Sequence, residues 1–353
     1  MRLSSGSLLL LLVYPIIGWP QGGRLPQPTL WPQDRTAAIS LTFDDAMETQ
    51  LDNAGPVLKN HDLRGTFFVI TGPSSTWRMR PRDWQQLAAG GNEIGSHTVN
   101  HPCLLAEIEP HSQDYSPEMM HKELRESARE ILARLGTQRG LTFAYPCGNM
   151  SFGPPTAQAR NQALYIDYVA ESYFAARGYG GEGEVNPEEL NILTVPDLGS
   201  TAGKPFPDLL AMMQPAVRGH RWGIFAIHGV GGEWLSVSTE VLDELAAYLQ
   251  HHTEIWTAPF GDVIRYIQES KALGIRATGH GNQQAQFSLD WPLDPKVFDL
   301  PLTLKWQLPP GWTACQAEAD GRPLTCTILP KTNQKTILVD VPPQTKSLQF
   351  TSK

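Results

Sequence analysis

The chain has 353 residues, of which 41% are hydrophobic and 18% charged, which excludes a disordered polymer and points to one large domain with a smaller companion. Its net charge of −8 excludes nucleic acid and anionic membrane as principal partners, since both demand a basic surface, and leaves a polar, uncharged substrate as the better match.

Taken in chain order, the first element is MRLSSGSLLLLLVYPIIGWPQGG, one arginine followed by an apolar run from Leu8 to Ile17 and then small, turn-forming residues. This has the shape of a secretory signal peptide over residues 1–22, cut between Gly18 and Gly23, and the run is too short to span a bilayer. Pro15 argues against a buried core helix there. The sequence holds no second apolar segment of membrane-spanning length, so the mature chain is expected to be secreted, periplasmic or extracellular, in an oxidising compartment, without a membrane span.

A Pro-rich lead, residues 23–36, precedes alternating β and α patterns over 37–276. The predicted strands are AAISLTF, GTFFVI, NEIGSH, LTFAYP, IDYVAE, ILTVP and GIFAIH. The helical patterns include MHKELRESAREILARLG, stopped by Gly136, and STEVLDELAAYLQHH, capped at Ser238 or Thr239. Alternation of this kind implies an α/β domain with a mainly parallel sheet, and seven strands favour closure into a barrel. From about Ala277 to the end only short β runs remain, among them AQFSLDW, LTLKWQL and TILVDV, which predicts a separate small antiparallel β domain over 277–353.

Cysteine spacing adds two expectations. CQAEADGRPLTC reads as a hairpin turning at Asp320-Gly321, in which Cys315 and Cys326 stand opposite each other and can bridge. Cys103 and Cys147 both follow predicted strand ends on one side of a parallel sheet, which places a second bridge at the rim of a site.

Chemistry concentrates at those strand ends. Asp44 and Asp45 follow a buried strand directly, an arrangement that repels itself unless a cation sits on it. His97 and His101 are four residues apart, so a short turn brings both imidazoles to one side, although Pro102 confines that turn to a loop. Two imidazoles and one carboxylate form a three-ligand set that leaves positions open, as in hydrolytic rather than structural zinc sites. His228 ends an apolar strand before a Gly-rich loop, where it can serve as a general acid. Trp256 is a candidate for lining a sugar groove or for a place in the core.

LTFDD, SHTVNHP, FAYPCG and FAIH, in this order and at these separations, resemble the successive motifs of the NodB-homology polysaccharide deacetylases, carbohydrate esterase family 4. The resemblance covers Ala37 to Ile267 and implies a distorted (β/α)7 barrel that removes acetyl groups from a sugar polymer with a divalent metal. By motif position, Asp44 is the catalytic base, Asp45, His97 and His101 the metal ligands, and His228 the catalytic acid, while the backbone N–H of Cys147 helps to hold the oxyanion. Zinc is the favoured ion, with cobalt, nickel or manganese as substitutes. This chain departs from the family's third motif, where Ala144 stands in place of an arginine that orients the base. Arg177 is a candidate replacement, and Asp197 a candidate partner for His228. The implied substrate is an N-acetylated amino-sugar polymer; alternatives are an O-acetyl ester such as acetylated xylan, a non-sugar amide, or an inactive carbohydrate-binding protein of the same fold. Oligomeric state is left open.

Overall fold

The computed structural model describes residues 24–352 apart from 106, 137–138, 282 and 330–334, and the expected signal peptide lies outside the described residues. The chain enters with a two-residue strand, β1 (Gln27–Pro28), and then forms eight strands of one parallel sheet: β2 (Ala37–Asp44), β3 (Thr66–Val69), β4 (Glu93–Ser96), β5 (Thr142–Ala144), β6 (Ala175–Glu182), β7 (Val195–Asp197), β8 (Trp222–Ile227) and β9 (Ile255–Thr257). Seven of them run in the order β7-β6-β5-β4-β3-β2-β8, while β9 pairs with the first residues of β2. The two edges of this path nearly meet, because Leu198 N–H donates to the Ile224 carbonyl at 2.9 Å and Ser200 bridges Ala226. The result is an almost closed parallel barrel of seven strands.

Helices α1 (Gly55–Asn60), α2 (Thr76–Met79), α3 (Pro81–Ala89), α4 (Pro117–Leu135), α5 (Gln158–Ser172), α6 (Phe206–Arg218), α7 (Thr239–His251) and α8 (Phe260–Ala272) connect the strands. β2 is buried along its whole length, as an apolar run between two faces of a parallel sheet must be. α4 begins at the Ser116 cap, whose hydroxyl accepts from Met119 N, and ends at Gly136 with φ +78°. α7 is capped by Ser238, which accepts from Val241 N, so of the two candidate caps Ser238 takes the role.

One predicted strand is a helix. IDYVAE lies inside α5, where Asn161, Tyr165 and Val169 recur every four residues on the buried face, and the sheet position goes instead to β6. There Ala175 and Ala176 fit against the sheet without the β-branched residues that usually betray a strand.

The C-terminal strands are β10 (Gly274–Gly281), β11 (Gln284–Asp290), β12 (Leu302–Gln307), β13 (Cys315–Ala319), β14 (Arg322–Leu324), β15 (Cys326–Leu329), β16 (Thr336–Val341) and β17 (Ser347–Ser352). They form two antiparallel sheets, β1-β12-β16-β15 and β10-β11-β17-β13-β14. Both sheets face one core built on Phe287, Trp306, Val339 and Phe350. β1, inside the stretch read as a lead, pairs with β12 and so belongs to this sandwich. α8 lies between the two cores: Val263, Ile264 and Ile267 pack toward the barrel, whereas Tyr266 joins the sandwich core. Among the described residues no helix is long and apolar enough to cross a membrane.

The predicted bridge in the sandwich is not formed. The hairpin has the expected register, Ala319 opposite Arg322 and Ala317 opposite Leu324, but the chain leaves it at Thr325 and Cys326 starts β15 in the other sheet. Cys315 and Cys326 therefore meet as thiols between sheets, Sγ to Sγ 3.5 Å.

Candidate functional site

All the chemistry sits at one end of the barrel because its strands are parallel, so every strand delivers its C-terminal residue to the same rim. Asp44 closes β2, His97 follows β4, Arg177 lies in β6, Asp197 closes β7 and His228 follows β8. These residues, together with Asp45, His101 and Cys147, line an open cleft of about 1390 Å³.

Consecutive residues of a strand point to opposite faces, so Asp44 and Asp45 can share the cleft only if the backbone leaves the strand between them. It does: Asp45 has φ +78° and Ala46 φ +54°. The second ligand segment turns the same way, with Thr98 at φ +67° and His101 at +58°, in a loop rather than the helical turn that a spacing of four invites. His101 N–H donates to Thr98 Oγ1 at 2.9 Å, which holds the loop back on itself. Left-handed conformations in residues other than glycine cost free energy and gather where function requires a special backbone path.

The imidazole Nε2 atoms of His97 and His101 each lie 3.4 Å from Asp45 Oδ1, and one donor atom from each of the three residues falls within 4.8 Å of the others. Asp45 Oδ1 is buried and has no hydrogen-bond partner among the described residues. A buried carboxylate oxygen without a donor is costly, and a cation answers it. Ligands about 2.0–2.1 Å from a tetrahedral ion stand roughly 3.4 Å apart, so both carboxylate–imidazole spacings suit such an ion. The buried His97 ring donates Nδ1–H to the Ala144 carbonyl at 2.8 Å, since a carbonyl only accepts. That bond fixes the ring orientation and, in the neutral ring, leaves the Nε2 lone pair toward Asp45.

Burial, reinforced by the neighbouring His97, pushes His101 down to about 4 and keeps it a neutral donor at ordinary pH. Burial alone would raise both aspartates, yet both lie below the usual carboxylate range. Arg177, His97 and His228 outweigh it at Asp44, and at Asp45 the close His97 imidazole, with His101 and His228, does so.

Arg177, only 5% exposed, bridges two carboxylates. Its Nη2 donates to Asp44 Oδ2 and its Nη1 to Asp197 Oδ2 at 2.7 Å. The guanidinium reaches Asp44 from the strand next to the one that carries the third motif, since Arg177 pairs with Ala144 across β5 and β6.

Residues 32–165 match the family model described as polysaccharide deacetylase. This segment belongs to the polysaccharide deacetylase family. The chain is 26% identical over 364 residues to a gellan lyase from Bacillus sp, covering 94% of this chain and 13% of that protein. It is 25% identical over 145 residues to the putative polysaccharide deacetylase YxkH of Bacillus subtilis, covering 40% of this chain and 48% of the relative. The chain therefore spans less than half the length of either curated relative. A solved structure of a putative polysaccharide deacetylase from Mycobacterium smegmatis is 14% identical, covers 70% of this chain and 96% of its own, and superposes with a TM-score of 0.46.

Within this deacetylase segment Cys103 and Cys147 are joined as a disulfide, and Cys147, at φ +51°, lines the cleft. One sequence expectation is corrected. Asp197 pairs with Arg177 and with Gly199 N–H at 2.8 Å instead of with His228, because β7 lies beside β6 and its terminal carboxylate meets the guanidinium first. His228 Nε2 faces Asp45 Oδ2 at 3.9 Å. Of the two places the sequence left open to Trp256, the structure gives the core: it packs against Trp31 and Tyr266, at the end of the barrel where β9 meets the start of β2.

Two further residues escaped sequence reasoning. Gln50, buried in a π-helical turn at 50–54, donates Nε2–H to the carbonyls of Asp44 and, at 3.1 Å, of His228, tying together the ends of β2 and β8. Its signal was available, a polar residue five positions beyond the acidic pair. Trp234, 59% exposed, lines the cleft from the loop after His228. That loop is anchored by Glu233, which accepts from Thr49 N and Thr49 Oγ1 at 2.8 and 2.6 Å. An aromatic in a Gly-rich loop directly after a candidate acid was the available sign.

Proposed function

We propose that the chain is a metal-dependent hydrolase that removes N-acetyl groups from an amino-sugar polymer outside the cytoplasm. The observation that carries the proposal is the meeting of Asp45, His97 and His101 around one point, with ionised Asp44 held beside it by Arg177. A divalent cation bound there supplies Lewis acidity toward the acetyl carbonyl and toward an attacking water, zinc being favoured by a His₂–carboxylate donor set.

The chain's own groups do the rest. Asp44 is kept ionised by its neighbours, so it can take the proton of the attacking water. The backbone N–H of Cys147 can donate to the oxyanion, a role indifferent to side chain. His228, on the loop side of the cleft, delivers a proton to the departing sugar nitrogen, and acetate leaves. The cleft is larger than the 300–1,000 Å³ typical of small-molecule pockets, which suits a polymer. The family match and the name of the Bacillus subtilis relative support a polysaccharide substrate, and the signal-like N-terminus supports export.

The test is acetate release by zinc-reconstituted protein from N-acetylglucosamine oligomers and, in parallel, from acetylated xylan. Release from the oligomers that chelation abolishes and zinc restores is expected, and Asp45→Asn should remove both activity and bound zinc. Release from xylan alone would overturn the N-acetyl assignment. Full turnover under chelation, or none on any acetylated glycan, would overturn the hydrolase.

A further inference from the structure

The loop that presents His97 and His101 has two residues in the left-handed region, so something outside it must hold that shape. The holder is a carboxylate on α4. Glu123 is 6% exposed, and its Oε2 accepts from the backbone N–H of Val99 at 2.9 Å and of Asn100 at 2.8 Å. Its Oε1 accepts from Asn100 Nδ2 at 2.6 Å and from the Tyr115 hydroxyl at 3.3 Å. Four donors thus converge on one buried side chain, three of them from residues more than twenty positions away in sequence.

The position is anomalous for packing. Met120, Glu123, Leu124, Ser127 and Ile131 form the buried stripe of α4, where an acid has no place unless its charge is consumed. Here the two amides between the histidines consume it. An ionised carboxylate suits adjacent amide donors better than a neutral group does, because charge-assisted bonds are roughly twice as strong as neutral ones.

We infer that Glu123 is a positioning residue for the cation site: it clamps the backbone between His97 and His101 so that both imidazoles stand ready in the metal-free protein. The inference rests on the proposed cation site formed by Asp45, His97 and His101. Glu123 hydrogen-bonds to none of the three. It acts through the loop, lowering the reorganisation that binding would otherwise require, and partners of this kind typically change metal affinity 10–100-fold.

The test compares wild type, Glu123→Gln and Glu123→Ala for zinc(II) affinity in chelator-buffered titrations, together with amide hydrogen exchange at Val99 and Asn100 in the metal-free proteins. The Gln variant keeps an acceptor for the two backbone donors once Asn100 turns its amide, so about 10-fold weaker zinc binding is expected. The Ala variant leaves those donors buried without an acceptor, and about 100-fold is expected. Exchange should accelerate in the same order, which a charge acting only at a distance would not produce. Should the Ala variant fail to fold, Glu123→Gln decides alone. Zinc binding within twofold of wild type in folded Glu123→Gln, or unchanged exchange, would overturn the positioning role while leaving the cation site intact. Failure of wild type itself to bind zinc would overturn the site, and the positioning role with it.

Discussion

Arg177→Ala tests the part of the site that departs from the family motif. The guanidinium lies between Asp44 and Asp197, both with side chains less than a tenth exposed. Unit charges about 4 Å apart attract by roughly 4 kcal/mol at an effective dielectric near 20, most of which offsets the desolvation of the three groups. Removing the cation leaves two carboxylates buried without it, at a cost of roughly 3–5 kcal/mol.

The pH dependence follows from the sign of the Asp44 shift. In the wild type its folded pKa is depressed, so ionised Asp44 contributes stability that is present above the unfolded value of about 4 and is lost as pH falls through the folded value. Without Arg177 burial raises the folded pKa, and the deficit of the variant grows as pH rises above about 4. A base protonated at higher pH also moves the acid limb of the kcat/KM profile upward. Turnover should fall by roughly 10²–10⁴, the usual contribution of a general base. Bound zinc should stay at the wild-type level, because Arg177 contacts neither imidazole nor Asp45 among the described residues. The assay is kcat/KM against pH with zinc content by elemental analysis. Near-normal turnover, or an acid limb that does not move, would refute the assignment of Arg177 as the arginine that orients the base.

Three more outcomes are expected. Cys103 and Cys147 close a span of 44 residues, for which the chain-entropy model gives about 4 kcal/mol, so Cys103→Ala with Cys147→Ala should lower the unfolding midpoint markedly; alkylation mapping of unfolded, unreduced wild type should leave Cys103 and Cys147 unmarked. Glu269, buried between α8 and the sandwich, is pushed up to about 7 by burial and then by Asp299. Its folded pKa exceeds the unfolded value, so its own contribution to stability is fully present below about 4.5 and is lost as pH rises through 7; Glu269→Gln should flatten that part of the slope in thermal melts between pH 4.5 and 8, and an unchanged slope would count against it. A chain ended at residue 276 would uncover Tyr266 and Trp256 and should be insoluble; a monomeric product with native near-ultraviolet circular dichroism would show that the sandwich is dispensable for folding.

The acidic pair, the spaced histidines and the strand-end His228 were legible because each combines a reactive residue with a local pattern, an apolar run that stops. The alternation of elements likewise announced a parallel α/β barrel, and the C-terminal texture an antiparallel companion. What failed did so where local pattern and packing diverge. IDYVAE carries strand-like residues, yet its buried face recurs at helical spacing, and the strand that replaced it is poor in strand formers. Cys326 has the right hairpin register but is claimed by the opposite sheet.

By itself, then, the sequence determined the kinds of element and the residue types able to hold a cation and move a proton, because hydrophobic periodicity and side-chain chemistry are local properties. Only the tertiary structure decided that Arg177 takes Asp44 and Asp197 together, that Asp197 leaves His228, and that Glu123 and Gln50 brace the loops. Those are pairings between strand ends and helices far apart in the chain. They exist because a parallel barrel brings all its strand ends to one rim, where burial makes each unpaired charge seek the nearest partner in space.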